Sequence, residues 1–256
     1  MATIASPIRC SGESGFLRQH RLDCALLCAA GAGRAENEDQ FVLAAPGGEA
    51  IEAAAMGYLF AVIDGDSDAD NGRSAAREIA TSLLEVVDDP RRLEVRPDLL
   101  LYRLQDANDR CHEFLEGRAA ATAVWIWEEP GSGGLTAAWA HVGDTRLYHL
   151  GRNGWRQLTR DHAKGRLLDR AVGQGPGLMV DTGTITLRPE ERLLLASDGV
   201  WRNAPPGSVV SGPVLPTAAE SVRRLVGTAR LNGSRGDTTA LAIHARSIDA
   251  DPEPEH

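Results

Sequence analysis

Residues Leu59–Gly72 read LFAVIDGDSDADNG, an apolar and partly β-branched run that leads into a cluster of acidic residues. The run Tyr58–Ile63 is typical of a buried strand. Because this strand ends on Asp-Gly, a carboxylate should lie at the edge of a sheet, where the chain turns. The stretch holds four aspartates: Asp64, Asp66, Asp68 and Asp70. Since like charges repel, they stay together at low cost only if they are solvated or if a cation neutralises them.

Length and composition fit an ordinary globular protein. The 256 residues are enough for one large domain or two small ones, and 43% of them are hydrophobic. A net charge of -9 argues against nucleic acid or an anionic membrane as a partner and suits a protein that concentrates cations. Lys164 is the only lysine, a bias that we attribute to a GC-rich, bacterial genome.

The chain shows neither a signal peptide nor an apolar run near 18 residues in length, so we expect a cytoplasmic protein with reduced thiols. Its four cysteines have no zinc-like spacing, and Cys24 and Cys28 lie in an apolar run that is typical of the core. The cysteines are Cys10, Cys24, Cys28 and Cys111.

Hydrophobic periodicity predicts many strands and three helices in one domain, residues 21–246. The helices are predicted at Gly72–Asp88, Asp98–Gly117 and Thr217–Leu231, the last with the capping box Thr217-Ala-Ala-Glu220. The strands are predicted at Asp23–Ala30, Gln40–Ala45, Tyr58–Ile63, Thr122–Glu128, Leu135–Val142, Arg146–Leu150, Trp155–Leu158, Thr182–Leu187, Arg192–Ala196 and Thr239–Ala245. Residues 160–177 should be irregular or briefly helical.

The order of these elements predicts an α+β fold, because antiparallel strands come in meanders with helices between them. We expect a four-layer α/β/β/α sandwich, in which two antiparallel sheets pack together and the helices cover their outer faces. Residues 1–20 are weakly patterned and form a lead-in. The acidic, proline-bearing tail 247–256 should be disordered.

Acidic residues recur where the predicted strands begin or end. They are Glu38-Asp39, Asp64-Gly65, Gly143-Asp144, Ser197-Asp198-Gly199 and Gly236-Asp237. Each alone is typical of a turn. Strand ends at one rim of a sheet assembly can converge, however, and an all-oxygen ligand set selects Mg²⁺, Mn²⁺ or Ca²⁺. Two such ions about 3.5–4 Å apart could share a bridging water, deprotonate it and direct it at phosphorus.

The order of motifs resembles the metal-dependent serine/threonine protein phosphatases, the PPM or protein phosphatase 2C family, in its bacterial type. The resemblance spans roughly residues 20–246 and rests on short motifs that follow in the family's order. They are Arg34-x-x-Asn-Glu38-Asp39, Phe60-Ala-Val-Ile-Asp64-Gly65 with Gly72, Ala121-Thr122-Ala-Val, Val142-Gly-Asp144-Thr-Arg146, Leu158-Thr-x-Asp161-His162, Arg170-Ala-Val-Gly173, Leu195-Ala-Ser-Asp198-Gly-Val-Trp201 and Gly236-Asp-Thr-Thr239.

The resemblance implies a function and a set of site residues. The function is hydrolysis of phosphoserine and phosphothreonine in proteins at a centre of two Mn²⁺ or Mg²⁺ ions, with a third, weaker ion. Asp64 would bridge the two metals, and the Gly65 carbonyl would bind one of them. Asp198 and an acidic residue near position 237, Asp237, would complete one site. Glu38 would serve the other metal, and Asp39 would hold metal-bound waters.

Further roles follow from the same resemblance. Asp144 would serve the third ion together with Asp198, and Arg34 would bind the phosphate through its planar guanidinium. Asp66 stands where many eukaryotic members carry a histidine proposed as general acid, so it is a candidate catalytic residue. His162 is the only histidine within the motifs, and we favour a hydrogen-bonded structural role for it over a catalytic one. The implied partners are a phosphorylated protein and a cognate serine/threonine kinase, for a protein that we expect to be monomeric.

The chain departs from the family pattern at three places. Ser67-Asp68 replaces the glycine pair that bacterial members usually carry, and only Ala163–Asp169 stands where most members have a longer flap. Gly236 aligns with the family's metal-binding aspartate when Thr239 is matched, so Asp237 is one position late. We hypothesise that Gly236, with its wide range of backbone angles, lets Asp237 turn toward Asp198.

Two other functions are compatible with parts of this pattern. One is a phosphatase-like binding or regulatory module whose metal sites are impaired by Gly236 and the short flap. The retention of Arg34, Glu38, Asp64 and Asp198 speaks against a decayed site. The other is an EF-hand calcium loop at Asp64–Asp70, but Ala75 or Arg77 stands where the bidentate glutamate is required, and a strand precedes the loop.

Overall fold

Two antiparallel sheets form the centre of the computed structural model, which describes residues 14–19, 21–34, 36–45, 56–89, 96–128, 134–209 and 216–247. The first sheet has the spatial order β1 (Ser14–Gln19), β2 (Leu22–Ala29), β13 (Thr238–Ala245), β12 (Arg192–Ala196), β7 (Arg146–Gly151) and β8 (Gly154–Gln157). The second has the order β11 (Asp181–Leu187), β6 (Leu135–Val142), β5 (Ala119–Glu128), β4 (Tyr58–Gly65) and β3 (Gln40–Ala44). A separate hairpin consists of β9 (Ala163–Lys164) and β10 (Leu167–Leu168).

Helices cover the outer face of each sheet. Helices α1 (Gly72–Asp88) and α2 (Arg96–Arg110) pack on the second sheet through one apolar cluster that includes Ile79 and Leu104. Helix α5 (Ala218–Leu231) packs on the first sheet through a second cluster. The short helices α3 (Asp198–Trp201) and α4 (Pro206–Val209) lie between β12 and α5 in the chain.

A third apolar cluster fills the space between the sheets. It draws side chains from both sheets, such as Phe60 and Val124 of the second and Leu195 and Leu241 of the first. Burial of this apolar surface is the main force that holds the two sheets together. The α+β assignment and the four-layer α/β/β/α arrangement are therefore confirmed.

Most predicted boundaries lie within one to three residues of the observed ones, and the capping box of α5 is present, with Thr217 and Glu220 bonding each other's backbone N–H groups. The predicted second helix is correct only in part, because α2 ends at Arg110 and a π-helical turn, Cys111–Leu115, follows it. Glu116 then takes a φ of 52°, which ends the helical path.

Two segments differ from the sequence analysis. Residues 14–19, assigned to the lead-in, form the edge strand β1, which pairs with β2. An edge strand has a neighbour on one side only, so its sequence pattern is weakly constrained. Residues 160–177 contain the β9–β10 hairpin and no helix. The tail that we expect to be disordered lies outside the described residues from 248 onward, as does Cys10.

Within the described part of the chain, no helix has both the length and the apolar character that crossing a membrane requires.

Candidate metal and phosphate site

Strand ends from both sheets meet at one rim and bring Asp64 and Asp198 together. Asp64 is the penultimate residue of β4 in the second sheet, and Asp198 follows β12 of the first sheet as the first residue of α3. The backbone N–H of Asp198 points to Oδ2 of Asp64 at 3.4 Å. The convergence of strand-end aspartates that the sequence suggested is thus present for this pair.

Asp39 lies behind this pair, in the interior of the protein. Its side chain is fully buried, and Oδ2 accepts hydrogen bonds from Ser197 Oγ at 2.9 Å and Thr239 Oγ1 at 2.6 Å. Oδ1 has no hydrogen-bond partner among the described residues. The pKa of Asp39 is raised to about 7, chiefly by burial and with a contribution from the charge of Asp237, although the hydrogen bond from the Thr239 hydroxyl opposes the shift.

The carboxylates at the rim destabilise one another's charges. Burial raises the pKa of Asp64 well above its usual range, and the charges of Asp39, Asp198 and Asp144 add to the effect. Burial and the charge of Asp198 likewise raise the pKa of Asp144 to about 6, although Arg202 opposes the shift. Carboxylates held together in this way, with one buried oxygen unpartnered, fit a site that a divalent cation neutralises.

A cavity of about 270 Å³, here called the central cavity, opens at this rim. Its lining residues are Arg34, Asp64, Gly65, Asp66, Ser67, Asp68, Asp144, Arg166, Leu168, Asp198 and Gly236. Six of the predicted site residues therefore share one cavity. Among the described residues, no three His, Cys, Asp or Glu side chains form a group arranged to hold a metal ion as they stand.

Arg34 is tied to Glu38 and Ser67 at the mouth of the site. Its Nη1 donates to Glu38 Oε2 at 2.5 Å and its Nη2 donates to Ser67 Oγ at 2.8 Å. Ser67 in turn donates to the same Glu38 oxygen at 2.5 Å. The serine that replaces a family glycine thus links the predicted phosphate-binding arginine to the predicted metal-binding glutamate.

Asp237 braces the loop that carries Arg34 and Glu38. Its Oδ1 accepts from the Gly31 N–H at 2.6 Å, and its Oδ2 accepts from the Glu38 N–H at 2.7 Å and from Arg34 Nη1 at 3.2 Å. Both carboxylate oxygens are therefore occupied by this loop. Gly236, and not Asp237, is the residue of this turn that lines the central cavity. The ligand role of Asp237 stays a prediction beside this structural one.

Asp66, at the wall of the central cavity, forms an ion pair with Arg118. Its Oδ2 lies 2.7 Å from Arg118 Nη2, and its Oδ1 accepts from the Asp68 N–H at 3.1 Å. Asp66 lines the central cavity, as a general acid would need to. Its catalytic role stays a prediction.

His162 fixes the turn that carries Asp144. Its Nδ1 accepts from the Gly143 N–H at 3.1 Å, and its backbone N–H donates to the Gly143 carbonyl at 2.7 Å. Its Nε2 lies 3.0 Å from Asp181 Oδ2. Gly143 has a φ of 98°, and a Cβ there would lie 2.3 Å from the side chain of Ala120. His162 is thus hydrogen-bonded, as predicted, and its assignment to a structural role stays a prediction.

Arg202 is a site residue that the sequence analysis missed. Its Nε donates to Asp198 Oδ2 at 2.8 Å, and its Nη2 donates to Asp144 Oδ2 at 3.0 Å and to the Gly165 carbonyl at 2.7 Å. The guanidinium therefore bridges the two carboxylates assigned to a third ion and ties them to the β9–β10 hairpin. The spacing of four residues from Asp198 at the start of a helix could have indicated this pair.

No protein-family model and no curated protein matches the chain. Solved structures do match it over nearly its whole length. PppA of Pseudomonas aeruginosa, described as a key regulatory component of T6SS, is 21% identical over 90% of this chain and 100% of that one, with a TM-score of 0.70. The PPM Ser-Thr phosphatase MsPP from Mycobacterium smegmatis, solved with cacodylate, is 27% identical over 86% and 97%, with a TM-score of 0.65.

A third match is the serine/threonine phosphatase PstP of Mycobacterium tuberculosis. It is 20% identical over 88% of this chain and 99% of that one, with a TM-score of 0.69. A PstP catalytic domain that matches with a TM-score of 0.68 was solved with two manganese ions. These likenesses extend over almost all of each chain, so they concern the whole fold and not a shared fragment.

Proposed function

We propose that this chain, whose fold is that of the bacterial PPM-type serine/threonine phosphatases, hydrolyses phosphoserine and phosphothreonine in proteins. The observation that supports the proposal most directly is the group of carboxylates at the joint rim of the two sheets. Asp64 and Asp198 converge there from different sheets, and Asp39 lies buried behind them. Arg34 lines the same cavity and supplies a cation for a phosphate group.

The residues present fit a pair of Mn²⁺ or Mg²⁺ ions. The donors are carboxylate oxygens, which these hard cations prefer, and Asp39 keeps one buried oxygen without a partner. Asp64, Asp198 and Asp39 would hold the ions, with Glu38 and the Gly65 carbonyl at their edge. Bound ions of this kind supply a water whose pKa is low enough for attack on phosphorus near neutral pH.

The protein side chains would position the phosphate ester. Arg34 would donate two hydrogen bonds to phosphate oxygens, for which it must exchange its contact with Ser67 or Glu38. Arg118 holds the carboxylate of Asp66 in place at the cavity wall, where Asp66 can orient a water that gives its proton to the leaving serine or threonine oxygen. A substrate protein, a cognate kinase, a monomeric state and a cytoplasmic location belong to the same proposal.

The proposal is tested by measuring phosphate release from a phosphothreonine peptide by the purified protein. The assay is run with added Mn²⁺, without it, and with EDTA as control. We expect release that depends on Mn²⁺ and is abolished by EDTA. Absence of release from peptides and from p-nitrophenyl phosphate, in a sample that binds Mn²⁺, would contradict the proposal.

A phosphatase-like regulatory module is the second candidate, and two contacts favour it. The Glu38 carboxylate is paired with Arg34, and both oxygens of Asp237 bond the loop 31–38, so two predicted ligands already have partners. Such a protein would bind a phosphorylated partner without turnover. Tight binding of a phosphopeptide with no Mn²⁺-dependent hydrolysis would identify this function.

A further inference from the structure

A second cavity of about 290 Å³, here called the side cavity, adjoins the central cavity. The two share Arg166, Asp198 and Gly236 in their linings. The other residues that line the side cavity are Gly199, Arg202, Asn203, Gly233, Ser234 and Arg235. A group bound in the side cavity would therefore lie next to a phosphate ester bound in the central one.

The two cavities carry opposite charge. The central cavity is lined by five aspartates and two arginines, which give a formal charge of -3. The side cavity is lined by three arginines and one aspartate, which give a formal charge of +2. In a chain with a net charge of -9, this is a local reversal of sign directly beside the proposed active site.

Two of the three arginines have charge to offer a ligand. Arg202 is neutralised by Asp144 and Asp198. Arg166 in the β9–β10 turn and Arg235 before β13 are exposed, and neither forms an ion pair with a residue that the structure describes. Both guanidinium groups are thus available for an anion at the rim of the side cavity.

The wall that carries Arg235 is anchored to α3. Ser234 is buried, its N–H donates to the Ala229 carbonyl at 3.0 Å, and its Oγ donates to the Gly199 carbonyl at 2.9 Å. Asn203 Nδ2 donates to the same Gly199 carbonyl at 3.1 Å. Because Ser234 is anchored on one side of Arg235 and Asp237 is bonded to Gly31 on the other, Arg235 starts from a defined backbone position beside the cavity.

We propose that the side cavity binds an anionic group of the substrate, a carboxylate or a second phosphate, carried one to three residues from the phosphorylated serine or threonine. The inference rests on the proposed phosphatase function and names its substrate class, an acidic or multiply phosphorylated peptide. Adjacent residues of an extended peptide advance about 3.3–3.6 Å each, so such a neighbour reaches a contiguous cavity. Arginine is well suited to bind either anion through paired hydrogen bonds.

The test compares phosphothreonine peptides that differ only at flanking positions. One series carries glutamate there, a second carries phosphoserine, and the reference carries glutamine. We expect the wild-type protein to prefer the two acidic series in kcat/KM by about tenfold, the effect of one charge-assisted hydrogen bond. In Arg235→Ala, the ratio of kcat/KM for an acidic peptide to kcat/KM for the glutamine peptide should fall to a value between about 1 and about 3. The two acidic arms distinguish a carboxylate ligand from a phosphate ligand.

Arg223→Ala is the matched control, because Arg223 is an exposed arginine of α5 that lines neither cavity. It should keep the wild-type preference ratio. Equal kcat/KM for the acidic and neutral peptides would overturn the proposal, as would an equal loss of preference in Arg223→Ala and Arg235→Ala.

The same peptides separate this inference from the proposed function. If no peptide is hydrolysed, fluorescence anisotropy of labelled peptides with the Mn²⁺-loaded protein still measures binding. Preferential binding of the acidic peptides that Arg235→Ala abolishes would then support the side cavity while the phosphatase proposal fails. Equal binding of all three peptides would overturn the side cavity alone.

Discussion

The guanidinium of Arg202 bonds the carboxylate of Asp144 at 3.0 Å, although Asp144 lies in the turn from β6 to β7 and Arg202 follows α3. The same guanidinium bonds Asp198 at 2.8 Å. Two carboxylates that would repel each other are thereby joined by a positive charge that belongs to the chain. Arg202 therefore neutralises these two carboxylates, as a bound cation could also do.

Replacing Arg202 with Gln should destabilise the metal-free protein. The substitution leaves Asp144, which is nearly buried, beside Asp198 without a counter-charge, and we expect the free energy of unfolding to fall by roughly 2 kcal/mol. Urea unfolding in EDTA measures the loss, and added Mn²⁺ should narrow the difference because it can neutralise the same pair. Arg223→Gln on the outer face of α5 serves as control. Equal unfolding midpoints for Arg202→Gln and wild type in EDTA would show that the bridge adds no stability.

Asp237→Asn should destabilise the protein even when no metal is present. The carboxylate accepts from the N–H groups of Gly31 and Glu38, and an amide nitrogen in place of one oxygen would face a donor. An unsatisfied buried group of this kind costs about 1–3 kcal/mol. Thermal unfolding in EDTA measures it. A variant with unchanged stability in EDTA and weaker Mn²⁺ binding would instead support Asp237 as the shifted metal ligand.

Arg34→Ala should weaken binding of phosphate. Arg34 lines the central cavity and is the residue expected to bind phosphate oxygens, so its loss should raise the inhibition constant of free phosphate by roughly tenfold or more. Initial rates on p-nitrophenyl phosphate at increasing phosphate concentration measure the constant. Arg166→Ala provides a comparison within the same cavity. An unchanged constant would restrict Arg34 to its contacts with Glu38, Ser67 and Asp237.

Acid should destabilise the protein partly through His244. Burial and the nearby charge of Arg192 lower the pKa of His244 to about 3. The unfolded chain binds this proton below about pH 6.5, whereas the folded chain does not, so stability falls as the pH drops from 6.5 toward 3. His244→Gln removes the effect, and its stability relative to wild type should improve by up to about 1.4 kcal/mol per pH unit below 6.5. If the free energy of unfolding changes equally with pH in wild type and in His244→Gln between pH 7 and 5, this account is contradicted.

The sequence was most informative where a regular pattern met a strong physical constraint. The alternation and apolar runs of the strands follow from two sheets that are buried against each other, which is why the architecture could be predicted. The convergence of Asp64 and Asp198 could be predicted because each lies at the end of a buried strand. Local rules of this kind depend only on neighbours in the chain.

Long-range side-chain contacts could not be predicted in the same way. The partners of Asp237 lie about 200 residues earlier in the chain, and neither composition nor spacing indicates that the loop 31–38 would use both of its oxygens. The bridge from Arg202 to Asp144 likewise depends on how the β6–β7 turn meets α3. The edge strand β1 was missed because one-sided pairing leaves little pattern in the sequence.

The central claim, a carboxylate centre that hydrolyses phosphate esters with divalent cations, is tested most directly at Asp64. Asp64 lies where strand ends of the two sheets meet, and the charges of Asp39, Asp198 and Asp144 all act on it. The measurement is the Mn²⁺-dependent rate of phosphate release from a phosphothreonine peptide by wild type and by Asp64→Asn, with folding of both checked by thermal unfolding. The account predicts a loss of several orders of magnitude in kcat for a variant that remains folded. A folded, Mn²⁺-loaded Asp64→Asn protein with a rate near that of wild type would contradict it.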